Sequence, residues 1–463
     1  MNKESDMHTH TIAIIGMGTS GIAATELALF LGHTVFCVDE NIHAPQISGT
    51  ISFYGQEAMS NIPHCDTMVL SPGVPSWHSM VLWAKERAIP ILSELEFACQ
   101  FCTIPIIAIT GTNGKSSTAW YTHQLATAMG LNSWIGGNFG IAVSKLALDI
   151  VREKIVYDVG VIEVSSYQLE FSPNFHPQAA SIINLTPDHL ARHKTMEEYL
   201  RCKRMIFAHM NKQEMLIVPQ SDIRLHPPVN TVSVAYVKDA DDTEPNAHQG
   251  AIIHTDHTEI SWKKHHLRIP HSSLHIFGHH NYENISIAAL LMIGILPNLS
   301  TKKVPPALET SMFSTITALE HRLEAFNHDN ITWINDSKAT NIEATIAGVY
   351  SLEKIHVLLL GGAGKEGADY TILQDILEKK CANIICFGAS GSEIFNSLPK
   401  LSSIYKTIDL ASAVELANKI SNRGDIILLS PACASFDEFS NFGHRGKVFK
   451  EHVRSLPLTR GDS

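Results

Sequence analysis

The chain has 463 residues, 44% hydrophobic and 17% charged, a composition that excludes a disordered, collagen-like or fibrous protein. At ~100–200 residues per domain it has room for about three folded units. A formal charge of −11 argues against a whole-surface nucleic-acid binder, so any anionic ligand needs a focused site.

Eight cysteines scattered over so long a chain do not read as a disulfide framework. No stretch approaches the ~18 apolar residues of a membrane-spanning helix, and the first ten residues carry no secretory apolar run. The expectation is a cytoplasmic monomer with no membrane or nucleic-acid partner.

Three short β-branched runs, 12–15, 104–109 and 355–360, are each followed by a glycine turn and a helical pattern, which predicts parallel sheets in α/β domains. They divide the chain into 1–98, 99–317 and 318–463. In the first unit Gly16-x-Gly18-x-x-Gly21 follows a strand, and the next strand ends in Asp39. That is a dinucleotide fingerprint, consistent with an NAD-dependent oxidoreductase, although the same turn holds any diphosphate at a helix N-terminus. Cys99 and Cys102 form a C-x-x-C without the second pair that zinc would require, and read as a buried structural pair.

The second unit opens with Gly111-Thr112-Asn113-Gly114-Lys115-Ser116-Ser117 between a strand and the helical run 118–129. Its glycines admit phosphate to backbone N–H groups, Lys115 neutralises β/γ oxygens, and the Ser116 hydroxyl is suited to Mg²⁺. The loop is shorter than the usual G-x-x-x-x-G-K-[ST]. Glu163 follows the strand 159–162, and Asn184-Leu185-Thr186-Pro187-Asp188-His189 follows the strand 180–183, which puts Glu163 and His189 at one sheet edge. Lys203 lies on the predicted helix 196–210 between Arg201 and Arg204. It is either part of a solvated basic face or an amine driven neutral by its neighbours and able to form a carbamate with CO₂. The polar segment 221–265, with Pro227-Pro228, predicts turns and short antiparallel strands.

In the third unit, strands are predicted at 331–334, 357–360, 384–387 and 426–429. Three loops follow strands: Asn335-Asp336-Ser337-Lys338-Ala339-Thr340-Asn341, Gly361-Gly362-Ala363-Gly364-Lys365, and Ser430-Pro431-Ala432-Cys433-Ala434-Ser435-Phe436-Asp437. Their lysines, hydroxyls and helix-start N–H groups converge on a pocket for an anion.

The ordered set G-T-N-G-K-S, E-V-S-S-Y-Q-L-E, N-L-T-P-D-H-L, Y-L-R-C-K, H-N-Y-E-N, H-R-L-E, N-D-S-K-A-T-N and L-S-P-A-C-A-S-F-D-E-F resembles the Mur ligases of peptidoglycan synthesis over nearly the whole chain. The resemblance implies an N-terminal Rossmann-like domain, a central P-loop ATPase domain and a C-terminal Rossmann-like domain. It implies ATP-dependent amide-bond formation between UDP-N-acetylmuramoyl-L-alanine and D-glutamate through an acyl phosphate. By the same resemblance Ser116, Glu163, His189 and a carbamylated Lys203 would hold two Mg²⁺ ions, and Lys115, Asn284, Arg322 and Asp336 would serve ATP. Thr19, Ser20, Asp39, Ser71 and Asn138 would hold the UDP-sugar, and Lys338, Thr340, Lys365, Ser435 and Phe442 the D-glutamate. Two positions depart from the pattern: Glu40-Asn41 follow Asp39 where some members carry a basic residue, and Cys202 precedes Lys203 where alanine is common.

Overall fold

The computed structural model describes residues 9–188, 190–229, 231–241, 249–299, 307–365, 367–399 and 401–458. Three sheets organise them. The first is wholly parallel, in the order Ile51–Tyr54, Thr34–Asp39, Thr11–Ile15, Thr67–Leu70, Ile91–Ser93. Strand order reverses beside Thr11–Ile15, which opens a crevice at its carboxyl end, where the helix Thr19–Phe30 begins. The helix packs tightly because its inner face is small. A Cβ on Gly21 would stand 1.9 Å from the Gly16 carbonyl oxygen.

The second sheet runs His265–Pro270, His257–Trp262, Gly250–Ile253, Ser233–Asp239, Met215–Pro219, Ala179–Ile182, Ile106–Thr110, Val159–Glu163, Ser133–Gly137. It is parallel from Gly250–Ile253 to Ser133–Gly137. Only the two strands at the other edge are antiparallel. Within 221–265 the expected antiparallel pairing is present between Gly250–Ile253 and His257–Trp262, while Ser233–Asp239 corrects the expectation by pairing parallel on both sides and so extending the parallel sheet. Its sequence hid this: Ser233–Asp239 buries only alternate positions, Ala235 and Val237, whereas Ile106–Thr110 and Val159–Glu163 are buried throughout and read as continuous apolar runs. The third sheet runs Glu324–His328, Ile331–Asn335, Ile426–Leu429, Ile355–Gly361, Cys381–Phe387, Ile404–Lys406, and only its first strand is antiparallel.

The chain folds into two compact units, Met1–His271 with Glu283–Phe313, and Ser272–Tyr282 with Ser314–Ser463. The first two sheets share one unit, and the expected boundary at 98/99 falls inside the helix Glu94–Cys99. Polar contacts bind that helix to the second sheet's layers. Glu94 accepts from the Ser144 N–H at 2.5 Å, Glu96 from the Asn174 N–H at 3.2 Å, and Ser93 and Ser172 share a hydroxyl contact of 2.7 Å. Burial raises the carboxyl pKa of both glutamates. Cys99 and Cys102 are half-buried free thiols. Among the described residues no helix is long and apolar enough to cross a membrane.

Candidate nucleotide and ligation site

The strand Ile106–Thr110 delivers the loop 111–114 to the start of the helix Lys115–Ala128. Gly111 (φ +154°) and Gly114 (φ +83°) hold conformations that side chains resist, and a Cβ on Gly114 would meet Asn284 Oδ1 at 2.5 Å. Asn184 Oδ1 clamps the loop by accepting from the N–H groups of Thr112 and Asn113 at 3.0 and 2.9 Å. Asn284 Oδ1, on the helix His279–Ile295, accepts from Thr118 Oγ1 at 3.1 Å. The helix has no side-chain cap, so its N-terminal partial charge faces the loop mouth. Lys115 Nζ spans that mouth, donating to the carbonyls of Gly111 and Thr112 at 3.0 and 2.8 Å. Along the same sheet edge a cavity of about 260 Å³ is lined by Asn184, Thr186, Asp222, Lys238 and Asp239 among others.

Lys203 reaches the loop from beneath. It is 1% exposed, and Nζ donates to Gly111 O at 2.7 Å and lies 4.6 Å from the Tyr199 ring centroid. Burial, and then the charge of Lys115, lowers its pKa to about 7. The expectation that Arg201 and Arg204 produce this neutrality is corrected. Arg201 pairs with Glu198 at 2.7 Å, and Arg204 donates to His226 O at 3.0 Å. Residues adjacent in a helix do not share a face.

Glu163 ends its strand fully buried. Oε1 accepts from Asn138 Nδ2 at 3.0 Å, while Oε2 is enclosed with no hydrogen-bond partner among the described residues. Asn138 is placed by Gly137 (φ +106°), where a Cβ would stand 2.3 Å from Glu163 O, and by its own N–H, which donates to that oxygen at 2.8 Å. Ser116 is buried and Ser117 follows it on the helix. His189 lies outside the described residues. His193, which the sequence did not single out, is 4% exposed, with Nε2 2.8 Å from Ser166 Oγ and its ring between those of Tyr167 and Tyr199. It backs the tyrosine over which the Lys203 amine sits.

On the first sheet Gly16 (φ +86°) receives the Ser71 hydroxyl on its carbonyl at 2.6 Å. Both oxygens of Asp39 accept from backbone, Oδ2 from Met17 N at 2.6 Å and Oδ1 from Asn41 N at 2.8 Å. The carboxylate therefore braces the glycine turn. Thr19 is exposed and Ser20 half-buried at the uncapped start of their helix, and Glu40 is paired with His78 at 3.1 Å. Arg192, also unflagged by sequence, donates to the carbonyls of Pro72 and Val74 at 2.9 and 2.7 Å and covers the Tyr167 ring. It fixes the Ser71 loop against the second sheet's layer.

In the second unit Asp336 follows its strand, accepting from Ser430 Oγ at 2.9 Å. Burial raises its pKa to about 7, against a smaller opposing effect of Arg322. Lys338 is exposed, with Nζ 3.9 Å from the Phe442 ring centroid; Thr340 is half-buried, Lys365 exposed and Ser435 buried. What joins their loops is Arg445, a fully buried guanidinium. It donates to Ser337 Oγ, Ser337 O, Cys433 O and Ala434 O, each at 3.0 Å, and to Gly361 O at 3.5 Å. Burial lowers its pKa to about 10.

A strand–loop–helix phosphate cradle with a lysine across it, beside a buried carboxylate and a near-neutral amine, defines an ATP-using ligase built on parallel α/β sheets. Residues 109–292 match the Mur ligase middle domain. Over 454 residues the chain is 33% identical to the UDP-N-acetylmuramoylalanine–D-glutamate ligase of Christiangramia forsetii, spanning 96% of this chain and 99% of that one. It is 34% identical over 476 residues to the ligase of the same name from Elusimicrobium minutum, spanning 98% and 100%. Its fold resembles MurF ligase from Thermotoga maritima in complex with ADP, with a TM-score of 0.56 at 13% identity over 97% of this chain and 96% of that one. The chain belongs to the Mur ligase family. Nothing in these likenesses supports the oxidoreductase reading of the Gly16 turn.

Proposed function

We propose that this chain joins D-glutamate to UDP-N-acetylmuramoyl-L-alanine, converting ATP to ADP and phosphate, in the cytoplasm and as a monomer. The observation that carries the reading is the grouping of Lys115, Lys203 and Glu163 around one phosphate loop, in a chain whose relatives bear that activity in their names. The three sequence-derived units take the roles of UDP-sugar domain (1–98), ATP domain (99–317) and amino-acid domain (318–463).

A carboxylate is a poor electrophile, so its oxygen first attacks the γ-phosphorus of ATP, giving an acyl phosphate and ADP. The neutral amine of D-glutamate then attacks the acyl carbon and phosphate leaves, with the amine's proton passing to solvent. Lys115 spreads phosphoryl charge, and the N–H groups of Gly114, Lys115 and Ser116 receive phosphate oxygens. Asn284 keeps Gly114 in place; Thr112 and Asn113 are held by Asn184. Arg322 and Asp336 complete the nucleotide set.

The residues fit two Mg²⁺ ions and a lysine carbamate. Glu163 keeps one buried oxygen unpartnered, and burial makes the Lys203 amine neutral enough to take up CO₂. Ser116, Glu163, His189 and carbamylated Lys203 would hold the metals, which when bound neutralise charge on the transferred phosphoryl group. Thr19, Ser20 and Ser71 lie at the glycine turn that Asp39 braces, where a diphosphate would sit, and Asn138 orients the sugar's carboxylate. Lys338 and Lys365 answer the two carboxylates of D-glutamate, with Thr340, Ser435 and Phe442 around them.

Substrate labelled with ¹⁸O in its alanyl carboxylate tests the route. One labelled oxygen should appear in the released phosphate; phosphate free of label would exclude the acyl phosphate.

A further inference from the structure

The turn between the strands Gly250–Ile253 and His257–Trp262 carries His254-Thr255-Asp256-His257-Thr258-Glu259, which the ligation chemistry leaves unused. The His254 N–H donates to His257 O at 2.9 Å, closing the turn and stacking the two imidazoles with centroids 4.4 Å apart and planes 4° apart. Residues 257 and 259 share a face of their strand. One ligand atom from each of His254, His257 and Glu259 therefore lies within 4.8 Å of the other two.

His257 Nδ1 is 2.7 Å from Asp256 Oδ1, with Arg268 Nη2 farther away at 3.4 Å. On its other side His257 Nε2 lies 3.2 Å from Glu259 Oε1. His254 Nε2 is enclosed, makes no hydrogen bond among the described residues, and lies 3.9 Å from Glu259 Oε2. Ligands held ~2.0–2.1 Å from a tetrahedral ion stand about 3.4 Å apart, so the two imidazoles, now stacked, would turn about their Cβ–Cγ bonds to face one ion with Glu259. A carboxylate behind one imidazole is the usual outer support of a metal-bound histidine.

We propose that His254, His257 and Glu259 bind a divalent transition-metal ion of the Zn²⁺ class, with Asp256 orienting His257 and the remaining position left to water. Imidazole donors favour such ions over Mg²⁺. The site stands on the strand-end edge that also carries the phosphate loop, but four to five strand spacings from Ile106–Thr110, about 19–24 Å at ~4.8 Å per strand, and so is separate from the ligation centre. His271 supports the turn from behind, with Nε2 3.0 Å from Thr258 Oγ1 and Nδ1 3.3 Å from Thr255 O. A bound ion would pin this hairpin.

The test is titration of the full chain, dialysed free of transition metals and kept in excess Mg²⁺, with Co²⁺ followed by absorption and with Zn²⁺ by calorimetry. One equivalent present in the unaltered protein should vanish in His257→Ala and in the size-conserving Glu259→Gln. Asp256→Asn should weaken it ~10–100-fold. Circular dichroism would confirm that each variant is folded. Equal stoichiometry and affinity in the unaltered protein and both ligand variants would overturn the site.

Discussion

Replacing Arg445 separates the architecture of the acceptor pocket from its chemistry, because this guanidinium is fully buried while the groups assigned to D-glutamate lie on the loops it ties. Arg445→Met removes the hydrogen bonds to the carbonyls of Ser337, Cys433 and Ala434, of which the last keeps the Ala363 N–H at 2.9 Å. At ~1 kcal/mol for each of these three hydrogen bonds the loss is about 3 kcal/mol. For a unit of this size that lowers the melting temperature by roughly 6–12 °C. Arg445→Lys keeps the charge but loses the planar fork that reaches three segments at once, so Lys338 and Ser435 lose their mutual register. About 1.4 kcal/mol of lost positioning raises the KM for D-glutamate ~10-fold. The assay is phosphate release against D-glutamate concentration, with calorimetric melting alongside. An Arg445→Lys enzyme with unaltered melting temperature and unaltered acceptor KM would refute the reasoning.

Lys115→Ala should cut ADP formation at least ~10²–10³-fold in a folded protein, and near-normal turnover would remove that lysine from the phosphoryl step. Lys203→Ala should be inactive and regain activity with added formate or acetate; full activity without rescue would dismiss the carbamate. With its folded pKa lowered from 10.5 to about 7, Lys203 in its uncarbamylated form contributes stability that is present above pH 10.5 and lost as pH falls through about 7, a slope that Lys203→Met should remove from melting curves. Asp336 runs the other way. Its raised folded pKa gives stability present below 3.8 and lost as pH rises through about 7, so Asp336→Asn should flatten the pH dependence of melting in that window while impairing ligation.

The phosphate loop was legible because its parts are contiguous: strand, glycines, lysine and helix follow one another, and each leaves its own local signature. Glu163 was legible for the same reason, as the last residue of a buried apolar run. Lys203 was singled out by motif, but the cause of its neutrality was misread, because chain neighbours were taken for spatial ones. Its depressing charge is Lys115, which comes near only through the helix-to-loop packing. Arg445 left no such mark, since it sits in the polar run Phe442-Gly443-His444-Arg445-Gly446-Lys447 and its partners lie more than a hundred residues away at Ser337 and close at hand in Cys433 and Ala434. The parallel pairing of Ser233–Asp239 was hidden because a half-buried strand alternates polar and apolar residues as an antiparallel hairpin does.

The central claim, an amide ligase specific for one acidic D-amino acid, is tested most directly by following ATP with UDP-N-acetylmuramoyl-L-alanine and each candidate amino acid in turn. The account predicts that ADP, phosphate and the extended UDP-sugar form in equal amounts with D-glutamate, and that omitting either the sugar or the amino acid stops all three. Equal turnover with L-glutamate, D-alanine or a diamino acid would contradict it, as would ATP hydrolysis that proceeds at the same rate with no acceptor present.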